Sequence, residues 1–66
     1  MSPEKMIMMA NQIASFFDSQ PGNAPERIAD HLRDYWEPRM RSQLAEYVQA
    51  GGAGLKPSVE EAVQHL

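Results

Sequence analysis

His31 and His65 are the only imidazoles in this 66-residue chain, and neither stands where catalysis would want it. His31 follows Asp30 and precedes Arg33. A general base needs a nucleophile or acid within hydrogen-bond reach and a pocket around both. Without those, its expected place is the surface or the boundary of the core. His65 lies one residue from the last, where a terminal turn frays. Asp30 and Asp34 at i,i+4 put two carboxylates on one helix face, which reads as a solvated acidic face. Cysteine is absent, so disulfides and thiolate metal sites are out, and the histidines and carboxylates lack metal-ligand spacing. No catalytic, cofactor-binding or metal-ligating residue is expected, and an enzyme in its own right is not the reading.

Recognition chemistry is better represented. Tyr35-Trp36-Glu37-Pro38-Arg39-Met40-Arg41 places two aromatics, a helix break and two arginines within seven residues. Trp, Tyr and Arg are the residue types enriched at interface hot spots. The residues alone leave two readings open. Either Tyr35 and Trp36 close the core at a helix junction while Arg39 and Arg41 are solvated, or the segment meets a partner. Met6, Met8 and Met9 fall within four residues and cannot all face one small core. Methionine fills irregular gaps and suits adaptable surfaces. Two of the three are expected inside, and Met8 joins Tyr35, Trp36, Pro38, Arg39, Met40 and Arg41 as candidate partner-binding residues. Nucleic acid is not the expected partner. The net charge is −3 and the pI about 5.1, and Arg33, Arg39 and Arg41 beside Asp34 and Glu37 make no basic stripe.

The elements that must position these side chains are all helical. Ser2-Pro3-Glu4 reads as cap, first helical residue and first-turn acid. Met6, Met9, Ile13 and Phe16 or Phe17 then recur at helical spacing, with Ala10 and Ala14 flanking, so a first helix is expected over 3–18. Pro21-Gly22 stops it. Asn23 with Glu26 three residues on opens a second helix over 24–36, with Ile28, Leu32 and Tyr35 or Trp36 inward. Pro38 forces a bend near Glu37 and opens a third helix carrying Met40, Leu44, Tyr47 and Val48. Glu37 and Arg41 form an i,i+4 pair if both lie on that helix. Gly51-Gly52 ends it. A short last helix starts at Pro57 or Ser58 with Val59, Ala62, Val63 and Leu66 inward. No segment alternates with period two. The expected fold is all-α, three to four short helices in a small bundle or orthogonal array, as one domain over 1–66.

Size and composition bound the rest. A 7.4 kDa chain buries only about 60% of the surface its unfolded form exposes, less than a larger domain does, so a partner or self-association helps it fold. No apolar run is long enough to span a membrane. Met1-Ser2-Pro3-Glu4-Lys5 lacks the order of a signal peptide, and the expected location is cytoplasmic.

Three blocks of this sequence resemble one family. Met9-Ala10-Asn11-Gln12-Ile13-Ala14 followed by Phe16-Phe17 looks like the opening of the delta subunit of soluble NAD-dependent formate dehydrogenases. Asp30-His31-Leu32-Arg33 with Tyr35-Trp36-Glu37-Pro38-Arg39-Met40-Arg41 resembles its central signature. Gly51-Gly52-Ala53-Gly54-Leu55, Pro57, Val59 and Ala62-Val63 are similar to its C-terminal end. Lys56 departs from the acid expected before that proline, which leaves Ser58 to cap the last helix.

The resemblance implies membership of a complex. Its large alpha subunit carries a molybdenum or tungsten pterin and iron–sulfur clusters and oxidises formate. Its beta and gamma subunits carry FMN and further clusters and reduce NAD. The delta subunit is then a small non-redox accessory subunit that stabilises or helps assemble the enzyme, docked on the large catalytic subunit. The competing reading is a free-standing helical regulatory module that self-associates, with a homodimer formed through the Met-rich first helix.

Overall fold

The computed structural model describes residues 2–66 and holds four helices: α1 Pro3–Asp18, α2 Ala24–Tyr35, α3 Pro38–Gln49 and α4 Pro57–Val63. Among the described residues there is no strand. The all-α expectation holds, and every helix begins with proline in its first turn. Proline lacks an N–H that would have no partner there, and its φ is already helical.

The caps divide into those that side chains make and those they do not. Ser2 Oγ accepts from the Lys5 amide at 3.2 Å, and Asn23 Oδ1 accepts from the Glu26 amide at 3.1 Å. Lys56 caps α4 with no side-chain hydrogen bond. Ser58, expected to take over that cap, instead donates to Asp18 Oδ2 at 3.1 Å and ties the start of α4 to the end of α1. At the end of α3 the Gly51 amide reaches the Val48 carbonyl and the Gly52 amide the Tyr47 carbonyl, both at 3.0 Å. This paired closure is a Schellman motif. It requires positive φ, found here at 125° for Gly51 and 64° for Gly52.

α2 packs against α1, α3 and α4, and α4 also meets α1 and α3. Fully buried Met6, Ile28, Leu32, Leu44 and Val59 meet Ala10, Ala14, Ala29 and Ala62 in one apolar core. Two details differ from the expected stripes. Ala10 and Ala14 are the centre of the α1 face, while Met9, Ile13 and Phe17 are only partly buried. Small residues there let the helices approach closely. Leu66, expected inward, is exposed because α4 ends at Val63.

Helix α2 stops one residue short of the expected 36. Trp36 is extended, φ −91° and ψ 138°, and so is Glu37. The ring of the following proline clashes with an α conformation at the preceding residue. The Glu37–Arg41 side-chain pair does not form. Glu37 becomes the N-cap of α3, and the Arg41 guanidinium turns back to the Arg33 carbonyl.

Loop 50–56 is held from two sides. Tyr47 donates its hydroxyl to the Ala53 carbonyl at 2.6 Å. Asn11, from the middle of α1, donates through Nδ2 to the Gly54 carbonyl at 2.8 Å and accepts from the Lys56 amide through Oδ1 at 3.0 Å. Both ends of one amide thus fix the approach to α4, and Leu55 between them is buried in the core.

Two predictions follow from this packing. Asn11→Ala orphans the Lys56 amide and the Gly54 carbonyl and is expected to cost about 2 kcal/mol, a fall in Tm of roughly 10 °C by thermal melting. Trp36→Ala is expected to cost ~3–5 kcal/mol, about as much as a core of this size supplies, and so to show as a loss of the cooperative thermal transition. Tyr35→Ala, one residue away, should stay within ~0.5 kcal/mol.

Candidate functional site

The corner between α2 and α3 splits the predicted partner-binding segment by burial. Trp36 is 7% exposed and belongs to the core, whereas Tyr35 is 75% exposed. Pro38 and Arg39 are exposed, and Met40 and Arg41 are half-buried. The break before Pro38 explains the division. Trp36 leaves the helix in an extended conformation and its indole is buried, whereas Tyr35, the last residue of α2, stays on the outer face. Met6 is buried, Met9 is partly so, and Met8 is 53% exposed on α1, the two-to-one division expected from the spacing.

The outward residues border two different surfaces. The first is aromatic and lies between α1 and α2. Gln12, Ile13, Phe16, Phe17 and His31 line a shallow cavity of about 290 Å3. Phe16 meets Phe17 edge-on with centroids 5.2 Å apart, Phe17 meets His31 at 6.0 Å, and His31 stacks on Tyr35 at 4.7 Å. Offset and edge-on arrangements of this kind are the favourable ones for aromatic rings. Met8 lies one helical turn before Gln12 and extends this face. His31 is therefore half-buried between rings at the core boundary.

The second surface is a groove of about 320 Å3 between α2, α3 and the last turn of the chain. Arg33, Arg41 and Ser42 supply its polar atoms, and Pro38, Ala45 and Val63 much of its apolar wall. Arg33 is tied down. Its Nη1 donates to the His65 carbonyl at 2.7 Å, and its Nη2 pairs with Asp30. Among the described residues Arg41 reaches only the Arg33 carbonyl, at 3.4 Å.

The spacing of the sequence did signal part of this. Phe16 and Phe17 are neighbours, so one of them had to leave the core. Arg33 and Val63 gave no such signal as partners of Pro38 and Arg41, because the packing of α3 against α2 and α4 is what brings them together. Asp30, read as half of an acidic face with Asp34, is engaged by Arg33 instead. Among the described residues no group of three or more His, Cys, Asp or Glu could hold a metal ion, and no helix is long and apolar enough to cross a membrane. The features available for function are thus an aromatic face and an arginine-lined groove that meet at the α2–α3 corner.

The family model for the NADH-dependant formate dehydrogenase delta subunit FdsD matches residues 5–63. That span holds all of α2, α3 and α4 and most of α1. No curated protein and no solved structure is matched by the chain. With nearly its whole length covered by the family model, this chain belongs to the formate dehydrogenase delta subunit family.

Proposed function

We propose that this chain is a non-catalytic accessory subunit that stabilises or helps assemble a formate dehydrogenase complex by docking on its large catalytic subunit. One observation carries the docking part of this reading. The α2–α3 corner presents Tyr35, Arg39 and Arg41 around a buried Trp36. Such an anchor holds the corner in one conformation before any partner arrives, which lowers the ordering cost of binding. The pterin, iron–sulfur, FMN and NAD chemistry of the complex then belongs to the partner subunits. Cytoplasmic residence goes with that reading.

Self-association of a free-standing module is the second reading. It is favoured by Phe16, 59% exposed, and Met8 on one face of α1. Sedimentation of the pure chain at twice its 7.4 kDa mass would support it.

The primary test is recovery of a tagged chain from its native host grown on formate. A large molybdenum- or tungsten-dependent dehydrogenase subunit in fixed proportion is the expected result, and recovery of the chain alone would overturn the proposal. Arg39→Glu, at an exposed position, should keep the thermal melt of the free chain, and combined with Arg41→Glu in a chain that stays folded it should cut recovery of the large subunit about tenfold or more. Normal recovery with the double variant would place the docking face elsewhere. Deleting the chain and assaying formate-dependent NAD reduction, with the complex quantified by native gels, separates assembly from stability.

A further inference from the structure

The groove beside the corner carries an electrostatic asymmetry. The chain is acidic, with nine carboxylate residues against six lysines and arginines. Even so, the Arg33–Asp30 pair is the only ion pair among the described residues. Arg33 spends its donors on Asp30 and on the His65 carbonyl. Arg41 is half-buried, and its guanidinium makes one long contact to a neutral carbonyl. A guanidinium offers five donors in a planar fork that matches a carboxylate two bonds at a time. Beside Arg33 and Ser42, the wall around it is Pro38, Ala45, Val63 and Leu66, and that apolar share raises the strength of any charge pairing formed against it.

From this charge complementarity we infer that the groove receives a segment of another dehydrogenase subunit that presents an Asp or Glu carboxylate beside an apolar side chain. The carboxylate pairs with Arg41, and the apolar side chain lies against Ala45 and Val63. Arg33 is the positioning residue. Held by Asp30 and by the His65 carbonyl, it fixes the end of the chain that forms one wall of the groove, and its own carbonyl orients Arg41. This assignment rests on the subunit reading above and adds to it the chemistry of what is bound.

The test is a competition for incorporation inside one cell. Wild-type chain and a variant, carrying different tags, are co-expressed in the native host, and their ratio in the purified complex is compared with their ratio in the lysate. Arg41→Gln is expected to be under-represented about tenfold or more, the loss typical of one charge-assisted hydrogen-bonded contact. Arg41→Lys, which keeps the charge without the fork, should recover part of that loss. Ser42→Glu places a competing carboxylate in the groove and should be excluded comparably. As an exposed helical position it leaves the fold intact, so it decides the matter if Arg41→Gln alters the thermal melt of the free chain. Washing with rising salt should release the Arg41→Gln complex at lower ionic strength than wild type.

Equal incorporation of Arg41→Gln and Ser42→Glu would overturn the groove assignment and leave the subunit reading standing. Absence of both wild type and variants from the complex would overturn the two together. A sedimentation dimer of wild type that Arg41→Gln abolishes, with incorporation unchanged, would give the groove to a second copy and also overturn the assignment.

Discussion

Leu32 retains no exposed surface, and the helix that carries it touches each of the other three. Everything else in the molecule is arranged around that burial. Fully burying a leucine or isoleucine side chain stabilises by ~1.5–3 kcal/mol, so the Ile28 and Leu32 stripe of α2 supplies a large share of what so short a chain can gain. The alanines opposite, Ala10, Ala14 and Ala62, are as important as the large residues. They let α1 and α4 come close enough for one helix to serve as the centre of a four-helix core. Bulk at those positions would push the outer helices away from Leu32.

The proline at the end of α2 turns this packing into a presented surface. Pro38 forbids the chain to continue as one helix through Trp36 and Glu37. The extended pair that results folds α3 back on to α2 and buries the indole of Trp36. Tyr35 is then held outward on the aromatic face of α1 and α2, while Pro38 and Arg41 line the groove toward α4. A single break in a helix thus sets the direction of two chemically different surfaces. One is apolar and adaptable, with a methionine at its edge. The other is an arginine-lined groove on an acidic molecule.

This division fits a chain whose stability is small. A domain of this length gains only a few kcal/mol from its core, and binding of the folded form adds to that by mass action. Docking would therefore stabilise the subunit as well as the complex. The polar contacts already in place serve the same economy of size. Asn11 closes loop 50–56 over Leu55, and Arg33 ties the last turn to α2. Each one fixes a segment that has too few apolar residues to fix itself.

Much of the fold was legible in the residues because its signals are local. Four prolines at helix starts, Asn23 and Ser2 as caps, and Gly51-Gly52 as a stop act within one turn of chain, and the all-α class and the limits of α1, α2 and α3 to within a residue followed from them, while the end of α4 at Val63 did not. The candidate site was legible only in part. Tyr35, Arg39 and Arg41 could be singled out by type, but Trp36 could be assigned neither to core nor to surface, since helix period does not say on which side of a proline break the indole turns. The partners of Arg41 were beyond reach for a different reason. Whether it pairs with Glu37 one turn back or with the Arg33 carbonyl depends on Glu37 leaving the helix to cap it. The groove wall from Val63 exists because α4 packs against both α2 and α3. Local hydrogen bonding and steric limits act between neighbours in sequence, so the chain by itself determined its helices and their ends. The surfaces depend on residues some thirty positions apart, and burial of the shared apolar core decided which of them meet.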